Sequence, residues 1–276
     1  VSMNLKLFNI SDKIVVVTGG LGQLGRQFTK VLLENNARVV ILDLLVDNKN
    51  PGDTFQHYIK DDRLFLLNAD ITNKKSVESS LKKIVKKWES VPFGLINNAA
   101  LDSPPDSSSE ENGPFEKFPE FSWDRVMDVN VKGVLFACQV FGKAMADAGR
   151  GSIVNIGSTY GVVSPDQRIY EYMQKDGNDP FYKPVAYATS KSALVNLTRY
   201  ISVYWAKNGV RVNLMALGGV FNNQNDQFIK GYCARVPMGR MADEDEYNGT
   251  VVYLMSDASS YMTGTTIMLD GGWTAW

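Results

Sequence analysis

Histidine is nearly absent from this chain of 276 residues, and its single copy is His57. His57 lies in the polar stretch Gln56-His57-Tyr58, which is typical of a surface loop. The composition therefore argues against a histidine-based catalytic triad and a histidine-rich metal site, and we expect no metal. A dehydrogenase built on this chain needs another proton donor, and tyrosine is the obvious candidate.

Other absences narrow the class of protein. The two cysteines, Cys138 and Cys233, are too few for a disulfide framework. The 29 basic and 30 acidic residues nearly cancel, so no basic stripe favours a nucleic-acid or membrane partner. No apolar run is long enough to span a bilayer, and no secretory signal is apparent. We therefore expect a cytoplasmic protein that acts on a small molecule.

The chain does contain a repeated alternation of apolar runs and helical patterns. Continuous apolar runs predict strands at 13–18, 38–43, 64–68, 93–97, 151–156, 210–214 and 265–270. Helices are predicted at 23–35, 74–88, 122–148, 185–207 and 244–256. Strands that are apolar throughout are buried on both faces, as in a parallel sheet covered by helices. The pattern predicts a doubly wound α/β fold in one domain over 3–276.

Two segments interrupt this alternation. The segment 101–121 is rich in Pro, Ser and Glu, and the segment 162–184 carries several aromatic residues among polar ones. Both follow the carboxyl ends of predicted strands, where ligands bind in open α/β sheets. We expect substrate loops, the second a partial lid, although tolerated surface insertions remain the alternative.

A glycine-rich turn joins the first predicted strand to the first helix. Gly20, Gly22 and Gly25 satisfy the pattern G-x-G-x-x-G, in which glycine lets a pyrophosphate approach a helix N-terminus. Asp43 ends the second strand about 20 residues on, where an acid accepts hydrogen bonds from the adenosine ribose. Because the next residues are Leu44 and Leu45 rather than arginine, the sequence favours NAD over NADP.

A second pattern indicates proton transfer. Tyr187 and Lys191 stand four residues apart in a predicted helix and so share a face. A nearby ammonium favours the phenolate, so we expect Lys191 to lower the pKa of Tyr187 and make it an acid/base group. By itself this spacing is also that of an ordinary surface pair.

Together these motifs resemble the short-chain dehydrogenase/reductase family over nearly the whole chain. Further matching segments are Asp70-Ile71-Thr72, Asn97-Asn98-Ala99-Ala100, Val129-Asn130-Val131, Ile153 to Ser158 and Leu269-Asp270-Gly271-Gly272. The resemblance implies a Rossmann-type fold with a seven-stranded parallel sheet and helices on both faces. It also implies a homodimer or homotetramer in which the helices around 122–148 and 185–207 pair across subunits.

The resemblance implies roles for individual residues. Tyr187 would exchange a proton with the reacting oxygen, Lys191 would assist Tyr187 and hold the nicotinamide ribose, Ser158 would hydrogen-bond the reacting oxygen, and Asn130 would hold a water. The implied cofactor site consists of Gly19, Gln23, Leu24, Asp43, Asp70, Ile71, Asn98, Ala99, Tyr187, Lys191, Gly218 and Val220.

The chain also departs from the family pattern. Gln23 replaces a glycine, Leu217 replaces a proline, and the segment between Ser158 and Tyr187 is longer than usual. That longer segment resembles family members associated with bacterial flagellin and surface-glycan biosynthesis.

We therefore expect an NAD-dependent oxidoreductase that interconverts a secondary alcohol and a ketone, on a sugar or sugar derivative of bacterial glycan biosynthesis. An acyl-chain or other apolar ketone reductase is an alternative, because Phe115, Phe118, Phe121 and Phe181 could line an apolar pocket. A non-catalytic NAD-binding regulator is a third reading.

Overall fold

Seven parallel strands form one sheet in the computed structural model, which describes residues 5–46, 52–102, 112–173 and 181–276. The strands are β1 (Ile14–Thr18), β2 (Arg38–Asp43), β3 (Leu64–Asn68), β4 (Gly94–Asn97), β5 (Gly151–Ile156), β6 (Val210–Leu217) and β7 (Thr266–Leu269). Their order is β3-β2-β1-β4-β5-β6-β7. The order reverses between β1 and β4, which opens a crevice at the carboxyl ends of these strands.

Helices cover both faces of the sheet, so the predicted doubly wound Rossmann-type fold is confirmed. They are α1 (Gln23–Glu34), α2 (Asp53–Lys60), α3 (Lys74–Trp88), α4 (Glu120–Met127), α5 (Val134–Ala137), α6 (Lys143–Asp147), α7 (Val185–Trp205), α8 (Asp226–Cys233) and α9 (Asn248–Met255). One apolar core joins the sheet to α3, α5 and α7, and a second joins it to α1, α2 and α9. No helix in the described ranges is both long and apolar enough to cross a bilayer.

The structure corrects several predicted boundaries. β6 continues to Leu217, three residues past the predicted end, because Met215 and Ala216 are as buried as the residues before them. The helices α2 and α8 were not predicted, since each has only eight residues, fewer than the window over which a helical period can be recognised. The predicted helix 122–148 begins at Glu120 and contains π-helical turns at Asp128–Gly133 and Cys138–Gly142.

A third apolar cluster joins the second insertion to α8. The insertion forms a 3-10 helix at Gln167–Met173, whose Tyr170 is buried against Phe181 and Phe228 with ring centroids 5.0 and 5.7 Å away. The aromatic residues that suggested a lid therefore form a packed wall in the described part. Residues 174–180 of this insertion and 103–111 of the other lie outside the described ranges.

Buried amides fix α7 against the sheet. Asn97 on β4 donates through Nδ2 to Oδ1 of Asn155 on β5 at 2.8 Å, and Asn155 donates through Nδ2 to Oγ1 of Thr198 on α7 at 2.9 Å. All three side chains are buried. A buried amide that loses its partner bears its full desolvation cost, so this chain of bonds specifies one position of α7.

We expect Asn155→Ala to lower the free energy of unfolding by about 1–3 kcal/mol, because it leaves Asn97 and Thr198 without these partners. Urea denaturation measures the change. Asn208→Ala is the matched control at an exposed position and should change stability by less than about 0.5 kcal/mol. Equal losses in the two variants would contradict a special role for the buried amides.

Candidate active site

The carboxyl ends of β4, β5 and β6 open into one cavity of about 890 Å³. Asn98 follows β4, Ser158 follows β5 and Gly218 follows β6, and all three line the cavity. The cavity is therefore placed by the topology of the sheet, at the edge where open α/β folds bind ligands.

The glycine-rich turn that joins β1 to the first turn of α1, residues 19–25, is called the glycine loop. Two of its positions, 19 and 25, have no room for a side chain. Gly19 has φ of +62°, and a Cβ there would stand 2.8 Å from Cα of Ala99. A Cβ on Gly25 would stand 2.2 Å from the carbonyl oxygen of Gly19. Asn98 braces the loop, since its Nδ2 donates to the carbonyls of Thr18 and Gly19 at 3.1 and 3.0 Å. The first turn of α1 has no side-chain cap, so this loop and helix N-terminus fit the pyrophosphate of a dinucleotide.

Asp43 is held in place beside this loop at the end of β2. Its Oδ2 accepts a hydrogen bond from the backbone N–H of Leu21 and its Oδ1 one from Leu45, both at 3.0 Å. A carboxylate has further acceptor positions on its two oxygens. The carboxylate is thus fixed at the sheet edge where a ribose would lie, and it fits the dinucleotide that the glycine loop suggests.

The other predicted cofactor residues fall into two groups. Those that line the cavity are Gln23, Leu24, Asn98, Tyr187, Lys191, Gly218 and Val220. Those that do not line it are Gly19, Asp43, Asp70, Ile71 and Ala99, which lie at or just after the carboxyl ends of β1 to β4. Asp70 accepts hydrogen bonds from the backbone and hydroxyl of Thr72 at 2.8 and 2.7 Å. The side chain of Gln23 crosses to the segment after β6 and donates to the carbonyl of Phe221 at 3.2 Å.

Tyr187 and Lys191 lie in the first two turns of α7, and Ser158 faces them from the end of β5. Ser158 and Tyr187 line the same cavity, and Ser158 is close enough to the phenol to oppose the rise of its pKa. Nζ of Lys191 lies 5.7 Å from the centroid of the Tyr187 ring and donates to the carbonyl of Ile156 at 2.8 Å. The predicted catalytic tyrosine, lysine and serine are therefore brought together in one cavity.

The expectation that the pKa of Tyr187 is lowered is wrong for this structure. Burial raises the pKa of Tyr187 above its ordinary value, and the carboxylate of Asp102 raises it further, while Ser158 acts in the opposite direction. Burial also lowers the pKa of Lys191 to about 8. The i,i+4 spacing indicated proximity correctly, but it contained no information about desolvation, which dominates here.

Asn130 lies in the π-helical turn between α4 and α5 and is buried. Its Oδ1 accepts from the backbone N–H of Leu101 at 2.7 Å, and its Nδ2 donates to the carbonyl of Leu101 at 2.9 Å and to Oγ of Ser190 at 3.0 Å. Ser190 donates in turn to the carbonyl of Tyr187. Asn130 thus connects the segment after β4 to the turn of α7 that carries Tyr187. That it also holds a water stays a prediction.

Sequence reasoning missed two charged residues of the cavity. Nζ of Lys183 donates to Oδ1 of Asp102 at 2.5 Å, and both side chains line the cavity. Lys183 precedes Tyr187 by four residues, as Lys191 follows it by four, so a symmetrical spacing around Tyr187 was the available signal. Asp102 directly follows the Asn97–Leu101 stretch, but nothing in the sequence indicated its partner.

The arrangement is suited to acid/base chemistry beside a dinucleotide cleft. The phenol of Tyr187, the hydroxyl of Ser158 and the ammonium of Lys191 line one cavity. The first turn of α1, at the end of the glycine loop, lines the same cavity. Within the described ranges, no three His, Cys, Asp or Glu side chains cluster as metal ligands would.

Comparison with known proteins agrees with this geometry. A family described as Enoyl-(Acyl carrier protein) reductase matches residues 22–274. The NAD-dependent glycerol dehydrogenase of Listeria innocua is 30% identical over 98% of this chain and 96% of its own length. Other relatives are named for reactions of L-xylulose, D-arabinitol and galactitol.

One further relative concerns the predicted subgroup. The post-translational flagellin modification protein A of Campylobacter coli is 25% identical over 96% of this chain and 99% of its own length. This identity is lower than that to the glycerol dehydrogenase, so the comparison does not single out the predicted subgroup.

A solved structure of a related protein has the same fold. The short-chain dehydrogenase of Leptospira borgpetersenii with bound NAD+ superposes with a TM-score of 0.84, at 32% identity, over 99% of this chain and 97% of that one. The chain therefore belongs to the short-chain dehydrogenase/reductase family and is an oxidoreductase acting on CH–OH groups.

Proposed function

We propose that this protein is an NAD-dependent dehydrogenase that interconverts a secondary alcohol and a ketone on a polyol or sugar. The observation that carries the proposal is the convergence of Tyr187, Ser158 and Lys191 in a cavity beside the glycine loop. The names of the glycerol, xylulose, arabinitol and galactitol enzymes support a polyhydroxylated substrate. A role in glycan biosynthesis stays a prediction.

Tyr187, Ser158 and Lys191 each have a separate role in the proton transfer. Tyr187 donates its phenolic proton to the oxygen of a ketone, or accepts the proton of an alcohol, while Ser158 hydrogen-bonds the same oxygen and fixes its position. Lys191 supplies a positive charge beside Tyr187 and can hold a ribose hydroxyl. A nicotinamide cofactor, when bound, supplies or accepts the hydride.

The cofactor is NAD, and Asp43 is the residue that selects it. A 2′-phosphate on the adenosine ribose would meet the fixed carboxylate of Asp43, and the residues that follow it, Leu44 and Leu45, are exposed and uncharged. The Listeria relative is named for NAD, and the Leptospira structure holds NAD+.

In this proposal the chain is a single domain. Its two insertions form walls of the substrate cavity. Tyr170, Tyr172 and Met173 of the second insertion line the cavity, as does Asp102 at the start of the first. We propose that both insertions determine which substrates enter, rather than being surface additions.

The apolar alternative has less support. Phe115 and Phe121 are exposed, Phe118 borders a neighbouring depression, and Phe181 is packed against Tyr170. The main cavity has a mixed lining, in which the polar side chains of Asn222, Gln224 and Asn225 lie alongside apolar ones such as Met173 and Phe228. A non-catalytic regulator would need the dinucleotide cleft but not Tyr187 and Ser158 together. The presence of both residues in the cavity therefore favours an enzyme over a regulator.

Tyr187→Phe tests the proton transfer. The ring and its packing remain while the hydroxyl is lost, so we expect turnover with NAD and a polyol to fall by at least about 10²-fold, the scale of general acid–base catalysis. NADH formation measures turnover, and calorimetry should show NAD affinity close to wild type. Tyr261→Phe, at a fully exposed position, is the control. Near-full activity of Tyr187→Phe with chemistry rate-limiting would refute this mechanism.

Asp43→Ala combined with Leu44→Arg tests the cofactor preference. We expect the ratio of NAD to NADP affinity to fall at least about tenfold, because a repelling carboxylate is removed and a phosphate partner is added. Calorimetry with both dinucleotides gives the ratio. Asp61→Asn, an exposed acid after α2, should leave it unchanged. Tighter binding of NADP than of NAD by the wild-type protein would oppose the assignment of Asp43.

We also propose that the protein is a homodimer or homotetramer that pairs through α4 and α7. Tyr200, Val203 and Tyr204 on α7 and Phe121 on α4 are large apolar or aromatic residues that are at least 67% exposed. Such an exposed patch is typical of an interface.

Val203→Asp should shift the protein toward the monomer in analytical ultracentrifugation, because a carboxylate at the centre of the interface would be buried without a partner. Lys60→Asp on α2, which covers the opposite face of the sheet, should not change the sedimentation coefficient. A wild-type protein that sediments as a monomer would contradict the proposed assembly.

A further inference from the structure

The segment 218–222, which follows β6, is held on one side by the chain just before α9. The carbonyl of Gly219 accepts from the backbone N–H of Ala242 at 3.0 Å, and the N–H of Phe221 donates to the carbonyl of Ala242 at 2.8 Å. Most of the segment lines the cavity that contains Tyr187. Its backbone therefore forms a wall of the candidate active site, and what fixes this backbone also fixes the wall.

Two buried phenols bond to the backbone of the same segment. The oxygen of Tyr232, on α8, accepts from the N–H of Gly219 at 2.5 Å. The hydroxyl of Tyr247, just before α9, donates to the carbonyl of Gly218 at 3.2 Å. Tyr232 lines the cavity and Tyr247 does not, so the phenols hold consecutive residues of the wall from different sides.

One backbone donor of the segment is left over. The carbonyl of Val220 accepts from Nε2 of Gln224 at 2.8 Å, and the N–H of Asn222 donates to Oε1 of the same side chain at 2.7 Å. The N–H of Val220, by contrast, has no hydrogen-bond partner among the described residues. Because backbone donors are rarely left unpaired and Val220 lines the cavity, this N–H is suited to an acceptor on a ligand there.

The phenol of Tyr232 is itself rigidly placed. Its ring packs against Trp273 and Phe228, with centroids 4.6 and 5.7 Å away, and the residue is 5% exposed. A Cβ on Gly219 would stand 2.7 Å from Cζ of the phenol, so a larger residue at 219 would displace it. Burial raises the pKa of Tyr232 to about 12, and the phenol is therefore neutral near pH 7. Functional groups supported in this way keep their geometry when a ligand binds.

We propose that Tyr232 is a positioning residue for the nicotinamide, and that Tyr247 assists it from the other side of the segment. By holding Gly219 and Gly218, the two phenols set the position of the Val220 N–H. The carboxamide is the hydrogen-bonding group of a nicotinamide ring, and its oxygen would accept from this N–H. Neither phenol takes part in the proton transfer. The inference rests on the proposed function, because it concerns the cofactor of that reaction.

NADH and ADP-ribose are the probes that isolate the nicotinamide. ADP-ribose contains the adenosine, the diphosphate and the second ribose of NADH but lacks the nicotinamide ring. Tyr232→Phe keeps the ring packing and removes the partner of the Gly219 N–H. We expect NADH affinity to fall about tenfold, the scale of one hydrogen bond, while ADP-ribose affinity changes by less than about twofold. Calorimetry without any alcohol or ketone measures both affinities.

Tyr247→Phe tests the same role from the opposite side. Its bond is longer, so we expect a loss of about threefold in NADH affinity and again less than about twofold for ADP-ribose. Tyr253→Phe is the matched control, since this half-buried phenol on α9 has no hydrogen bond to the segment, and it should change neither affinity. Urea midpoints show that each variant is folded, and either of the two positioning variants suffices for the test.

The ratio of NADH to ADP-ribose affinity decides the outcome. Equal losses for the two ligands would mean that the phenols only stabilise the cleft, and unchanged NADH affinity would mean that they do not position the nicotinamide. Either result in the folded variants overturns the inference, as does a wild-type protein that binds NADH no more tightly than ADP-ribose. The proposed function fails separately, if no polyol or ketose is turned over with NAD or NADH.

Discussion

The buried hydrogen bonds from Asn97 through Asn155 to Thr198 are the interaction on which the rest of the site depends. They join two central strands to α7, and Lys191 lies seven residues before Thr198, two turns away on the same face of that helix. Because amides and a hydroxyl in a dry interior tolerate little displacement, the face of α7 that carries Lys191 has one position relative to β5. The bond from Lys191 to the carbonyl of Ile156 at the end of β5 is possible only in that position.

From this fixed helix, polar contacts extend into both walls of the cavity. Asn130 connects the Tyr187 turn of α7 to Leu101, and Gln167 holds Lys183 just before α7 begins. The π-helical turn that contains Asn130 is an irregularity of a kind often found at functional sites. Tyr187 and the Asp102–Lys183 pair are thus connected through one hydrogen-bonded framework, so a displacement of either wall would also displace Tyr187.

The fold could be predicted because its signal is repeated along the chain. Seven continuous apolar runs give the parallel sheet, and a glycine loop directly after the first run places the dinucleotide cleft. Proximity of Tyr187 to Lys191 follows from helical spacing alone. The Asp102–Lys183 pair could not be predicted, because its members are 81 residues apart and meet only through the topology. The direction of the Tyr187 pKa shift was also inaccessible, since it depends on how much water the folded chain excludes.

The hydrogen bond from Gln23 to the carbonyl of Phe221 joins the first turn of α1 to the segment after β6. A glycine at position 23 would have no side chain to make this bond. The segment after β6 that accepts it also supplies Asn222 and Gln224 to the wall of the substrate cavity. One hydrogen bond therefore ties the first turn of α1 to a segment that lines the cavity, so the position of that segment depends on the residue at position 23.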